Sequence, residues 1–165
     1  MLVNFRPVTS VLDTERPAYP LFDPTIIKPG TTTTLLDGEW LEFDGSSGRP
    51  VVKRGTGEGT NFLTGPYWGE VGRTDVQILG KVPIIISGNL QACTRICDTT
   101  GLTVTGTPLV VKDVTIDGRT CRGLAKATGV GQHNIFAFYV GPGDISGITT
   151  GIIRVWIKSP IQVTI

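Results

Sequence analysis

The chain has one histidine, three cysteines and almost no net charge, and each shortage removes a class of function. Lys and Arg total 15 against 14 for Asp and Glu, which leaves no global field to gather nucleic acid or an anionic membrane. No apolar run approaches the ~20 residues that a bilayer-spanning helix requires. Met1–Phe5 lacks the basic start and long apolar core of a secretory leader, so the chain is expected to be made in a cytoplasm and to stay soluble. An odd number of cysteines in such a chain argues for free thiols. On one extended strand Cys93 and Cys97 would stand roughly 13 Å apart, beyond disulfide reach. A zinc site would need more ligands than Cys121 and His133 add. The sequence contains no GxSxG elbow, HExxH helix, calcium loop or nucleotide fingerprint. GTGEGTN at 55–61 is glycine-rich, but no Lys-Ser or Lys-Thr and no amphipathic helix follow it, so it lacks the donors of a phosphate cradle. No cofactor, no metal and no enzymatic activity are expected.

What is present is glycine, proline and β-formers. The 22 glycines and 11 prolines, with abundant Thr, Val and Ile, are far from the composition of helical proteins. The expected class is all-β: a small β-sandwich or barrel occupying residues 31–165, preceded by an extended arm at 1–30. Pro7, Pro17, Pro20, Pro24 and Pro29 forbid a long helix in that arm. Its apolar residues, among them Phe5, Leu12, Tyr19, Leu21 and Phe22, are too many for a solvated linker. The arm either packs across its own domain or wraps a neighbouring chain.

The stretch TTTTLLDGEWLEFD, 31–44, reads as a hairpin turning at Asp37-Gly38. Its second half alternates, placing Leu41 and Phe43 on a core face and Trp40, Glu42 and Asp44 on an outward face. A second Asp-Gly pair at Asp117-Gly118 joins PLVVKDVTI to RTCRGLA as another hairpin. Short strands are also expected at 50–54, 75–79, 82–86, 89–97, 102–105, 135–140, 151–158 and 161–165. In GIIRVWIK the residues Ile153, Val155 and Ile157 share one side and Trp156 points the other way. Tyr67 and Trp68 sit in a glycine-proline turn, where they either cap a β core or offer an exposed anchor.

The order of a proline-rich arm, KPG, LLDGEWLEFD, a basic strand, YWGEVGRTDVQILGKVPIII and a late GIIRVWIK resembles tailed-bacteriophage capsid decoration (cement) proteins. That family includes β-tulip and related small β domains similar to the head decoration protein of lambda-like phages. The arm here is longer and richer in proline than a minimal one. The resemblance implies a virion structural protein on the capsid exterior, bound to the major capsid protein and to itself as a homotrimer. It also implies no catalytic site. On that reading Phe5, Leu12, Tyr19, Leu21, Phe22, Trp40, Trp68 and Trp156 are the candidate partner-binding residues. Removing residues 1–24 is then expected to leave a folded β domain. The competing class is a carbohydrate- or receptor-binding β-sandwich module of a virion, with Tyr67, Trp68, Trp40 or Trp156 as stacking platforms. A glycosidase reading rests on the carboxylates Asp37, Glu39, Glu42 and Asp44 alone.

Overall fold

The structure is a computed structural model that describes residues 4–8, 18–20, 34–44, 46, 51–55, 58, 64–68, 81–85 and 90–165. The described residues contain no helix and fold as a β-sandwich-like arrangement of antiparallel sheets. The strands are β1 (Phe5–Pro7), β2 (Ala18–Pro20), β3 (Trp40–Asp44), β4 (Val51–Lys53), β5 (Thr64–Pro66), β6 (Lys81–Pro83), β7 (Leu90–Thr94), β8 (Pro108–Ile116), β9 (Arg119–Lys126), β10 (Gln132–Pro142) and β11 (Ile153–Thr164).

The larger layer is a six-stranded antiparallel sheet in the order β1-β7-β11-β10-β8-β9. Its β8–β9 hairpin turns at Asp117 (φ 51) and Gly118 (φ 76), the paired positive angles that a type I′ turn requires. Arg95 clamps that turn, donating to both carboxylate oxygens of Asp117 at 2.5 and 2.7 Å. The sheet's β9 edge is not left open. The chain leaving β7 bridges it, with Leu124 N–H donating to Ile96 O at 3.1 Å and Asp98 N–H to Leu124 O at 2.8 Å. Gly123 permits this approach, since a Cβ there would stand 2.5 Å from the Ile96 carbonyl oxygen.

The smaller layer joins the sheet β4-β3-β5 to the pair β2-β6 through a bridge between Tyr67 and Ile84, and β2 returns beside β4. This layer curls around its own core of Leu35, Leu41, Val52, Tyr67, Val82 and Ile84. Between the layers lies the main core, which includes Phe5, Trp40, Ile85, Leu109, Leu124, Phe136, Val155 and Ile157. Adjacent residues therefore serve opposite cores: Trp40 and Leu41 on β3, and Ile84 and Ile85 after β6. That is the two-sided burial expected of the isoleucine run.

Three expectations are corrected. The Asp37-Gly38 turn exists, with Glu39 N–H donating to Leu36 O at 3.0 Å and Gly38 at φ 87, but residues 34–36 form no strand. The Leu36 N–H is taken by the Glu39 side chain and the Gly38 N–H by Tyr67 O, so β3 pairs with β4 and β5 instead. The run at 102–105 is likewise a turn, bent between Gly101 (φ 71) and Gly106 (φ 89). Finally, the arm is not separate from the sheet. Phe5–Pro7 pairs with β7 in the register Phe5↔Thr94, and Ala18–Pro20 pairs with β6. Phe5 is 1% exposed and lies on Gly38, where a Cβ would stand 2.6 Å from its own Cβ. The strand expected at 75–79 lies outside the described residues.

Because Phe5 fills the main core, Phe5→Ala is expected to cost about 3–5 kcal/mol, and removal of residues 1–8 at least as much. Urea unfolding followed by tryptophan fluorescence measures both. An unchanged midpoint would mean that β1 is dispensable.

Candidate docking surface

The acidic cluster around Trp40 is structural. Glu39 has the core parity of β3 and is fully buried. Its carboxylate accepts from Arg54 Nε at 2.5 Å and Nη2 at 2.9 Å, from the Leu36 N–H at 3.0 Å and from the Arg122 N–H at 3.2 Å. One side chain thereby joins the turn before β3, the chain leaving β4, and β9 of the other layer. Asp44 pairs with Lys53 at 2.7 Å and accepts from the Ser46 N–H. Those contacts hold the Asp44 carboxyl well below the usual range and push the Lys53 ammonium up. Glu42 rests against Gly55, so closely that a Cβ there would overlap its carboxyl group. Of these groups Glu39, the one on the core face, is fully engaged in the fold and closed to solvent, and this disfavours a paired-carboxylate hydrolase built on it.

The cysteines are free and buried, and they divide among different clusters. Cys93 packs with Ile145 and Ile152, Cys97 joins the main core, and Cys121 packs with Ile96, Val114 and Ile116. Burial pushes the thiols of Cys97 and Cys121 up to about 12, which removes thiolate chemistry at neutral pH. His133 receives the carboxylate of Glu58 at 2.9 Å on Nδ1, with Nε2 3.2 Å from Gly129 O. The Glu58 contact, followed by that carbonyl, raises its pKa against the opposing effect of burial. Glu58 belongs to the glycine-rich 55–61 stretch of the sequence, and this pair ties Glu58 to β10.

The aromatic candidates separate sharply. Phe5 and Trp40 are core residues, and the expectation of an outward Trp40 is corrected: at 2% exposure its indole meets Phe136 edge-on at 5.9 Å between the two layers. Trp68 is half-buried against the main core, as a residue capping it would be. Tyr19 lies on β2, where only the backbone is described, and Leu12, Leu21 and Phe22 lie outside the described residues. Trp156 faces outward as its parity requires and is 39% exposed.

Around Trp156 the outer face of the large sheet takes a definite form. Trp156 stands between Gln91 of β7 and Phe138 of β10, and the Lys158 ammonium lies 4.2 Å from its ring centroid. In the next row Arg154 and Arg6 flank Cys93 from either side, both exposed. Among the described residues none of Arg6, Arg154 and Lys158 has a carboxylate partner. The result is an aromatic anchor with a cationic rim. Lys158 covers one face of the Trp156 indole and Trp40 lies in the core, so these two rings do not form an open stacking pair. The alternation Arg154, Trp156, Lys158 was available in the sequence as a signal for this rim. Arg6 was not, because its place depends on the pairing of β1 with β7. No family model, curated protein or solved structure matches the chain.

Two outcomes follow from these contacts. Glu39→Gln is expected to destabilise the fold by about 3 kcal/mol, the low end for breaking a buried pair because Arg54 keeps some contact with solvent. Chemical denaturation reads this, and a loss within error of zero would show that the network is incidental. For His133 the folded pKa lies above the unfolded one, so its contribution is full below about pH 6.5 and fades as pH rises through the folded value. Between about pH 6 and pH 8 the unfolding midpoint should fall, and His133→Gln should flatten that decline.

Proposed function

We propose that this protein is a virion structural protein that binds the outer surface of a phage capsid and stabilises it, with the major capsid protein as its partner. The observation that carries this reading is the Trp156 face: an exposed indole under Lys158, with Arg154 and Arg6 in the next row of the same face, on a sheet whose other side is tightly packed. Tryptophan and arginine are the side chains that most often dominate protein interfaces. A rigid sheet holds them at little ordering cost on binding. These cations, without a carboxylate partner among the described residues, select an acidic patch on the capsid and speed encounter with it. The succession of arm, GEW strand and late GIIRVWIK supports the same family of functions. Engagement of Glu39 in the fold weighs against hydrolysis, and the lysine over Trp156 weighs against sugar stacking.

The test is co-sedimentation of the purified chain with expanded capsids, using Trp156→Ala and Arg154→Glu. Each substitution changes an exposed side chain and should leave the fold intact, while binding weakens by roughly tenfold or more. A chain that never sediments with capsids sinks the reading. Binding that both variants leave unchanged moves the contact away from this face.

A further inference from the structure

We infer that the end of β11, residues 161–165, is a self-pairing edge through which two copies of this chain join their large sheets about a twofold axis. Among the described residues β7 accompanies β11 from Ile153↔Thr94 to Ile157↔Leu90. Past that point β11 bulges, since the register steps from Ala137↔Ile157 to Ile135↔Ile161, and Ser159-Pro160 falls in the bulge, where a proline costs no ladder bond. Beyond it, among the described residues, β11 has β10 on one side and no strand on the other.

The direction of the free groups follows from the ladder. Gly131 and Ile165 exchange both N–H···O bonds, each at 3.0 Å. In antiparallel pairing such residues alternate with residues whose backbone groups point away. Ile165, Val163 and Ile161 therefore spend their N–H and C=O on β10, and those of Gln162 and Thr164 point out from the sheet. Edges of this kind are normally blunted by charge, proline or a covering segment. Residues 161–165, IQVTI, carry no charged side chain and no proline, and Ile161 and Ile165 are 43% and 46% exposed.

A second copy is the occupant that this edge fits, because its pattern is the same read from either end. Apolar residues stand at 161, 163 and 165, with polar ones at 162 and 164. In an antiparallel pair centred on Val163, Gln162 of each copy lies opposite Thr164 of the other and the two exchange both backbone bonds. Val163 then faces Val163, and Ile161 faces Ile165, in the non-hydrogen-bonded positions where cross-strand side chains approach most closely. Each copy thereby covers the exposed isoleucines of the other, and no charged side chain of 161–165 opposes the contact. The inference is independent of the capsid reading.

Sedimentation equilibrium of the full chain tests it over about 1 to 100 µM, a span that brackets micromolar dissociation constants. The expected result is a mass that rises from 17.6 kDa towards twice that value. Thr164→Pro removes one outward N–H from each copy without touching the bonds to β10, and should weaken pairing on the order of tenfold to a hundredfold. Because a proline can disturb a strand, a second variant carries Ile161→Lys and Ile165→Lys, both at exposed side chains. It should dissociate alone and recover the doubled mass when mixed with the Ile161→Glu, Ile165→Glu chain, since position 161 faces 165. A wild-type chain that stays monomeric across the range overturns the inference. So does a dimer or trimer that neither variant weakens.

Discussion

The two layers of this protein are held in register by a carboxylate that water does not reach. A buried Glu is costly unless every lone pair is used, and Glu39 meets that requirement with the Arg54 guanidinium and two backbone N–H groups. Its partners come from three separated parts of the chain, so the network can form only when the turn at 36–39, the chain after β4, and β9 are all in place. Apolar packing alone would tolerate sliding of one layer over the other; a fully satisfied polar contact tolerates much less. Trp40, the next residue, gains a fixed position from this and sets its edge against Phe136.

The same carboxylate explains where the sequence was legible and where it was not. The Asp117-Gly118 hairpin and the faces of Ile153, Val155, Trp156 and Ile157 follow from local rules, turn angles and period-two alternation, and no distant group competes with them. At Asp37-Gly38 the turn residues were equally clear, yet the hairpin did not form. A side chain three residues on captured the Leu36 N–H that a strand would have used. Alternation placed Leu41 on a core face correctly. It could not show that Trp40, on the opposite face, meets a second core, because two-sided burial depends on which layers stack. The placement of Phe5 is non-local in the same way: prolines marked its segment as extended, and only the register with β7 shows that the extension is a sheet strand.

The surface divides by chemistry in a manner that follows from this construction. With Phe5 and Trp40 consumed by the interior, the large outward aromatic of β11 is Trp156, with Lys158 over its ring. The same strand continues past its bulge into an uncharged ribbon with β10. A single strand thus carries an indole with flanking cations along one half and, along the other, outward backbone groups that no described strand meets, and the bulge at Ser159-Pro160 separates them.

The order of strands in the large sheet also bears on how the chain folds. β1 pairs with β7, and β11, the last of the described strands, lies inside the sheet between β7 and β10. Neither β7 nor β10 has its full set of neighbours until β11 is in place. Closure of contacts so distant in sequence makes folding of this layer slow. Until β11 docks, Phe5 and the strands β7 to β10 present unpaired edges and apolar faces, the state in which folding β proteins aggregate most readily. A chain that lacked β11 would lose the centre of this sheet, and the defect would reach β1 through β7.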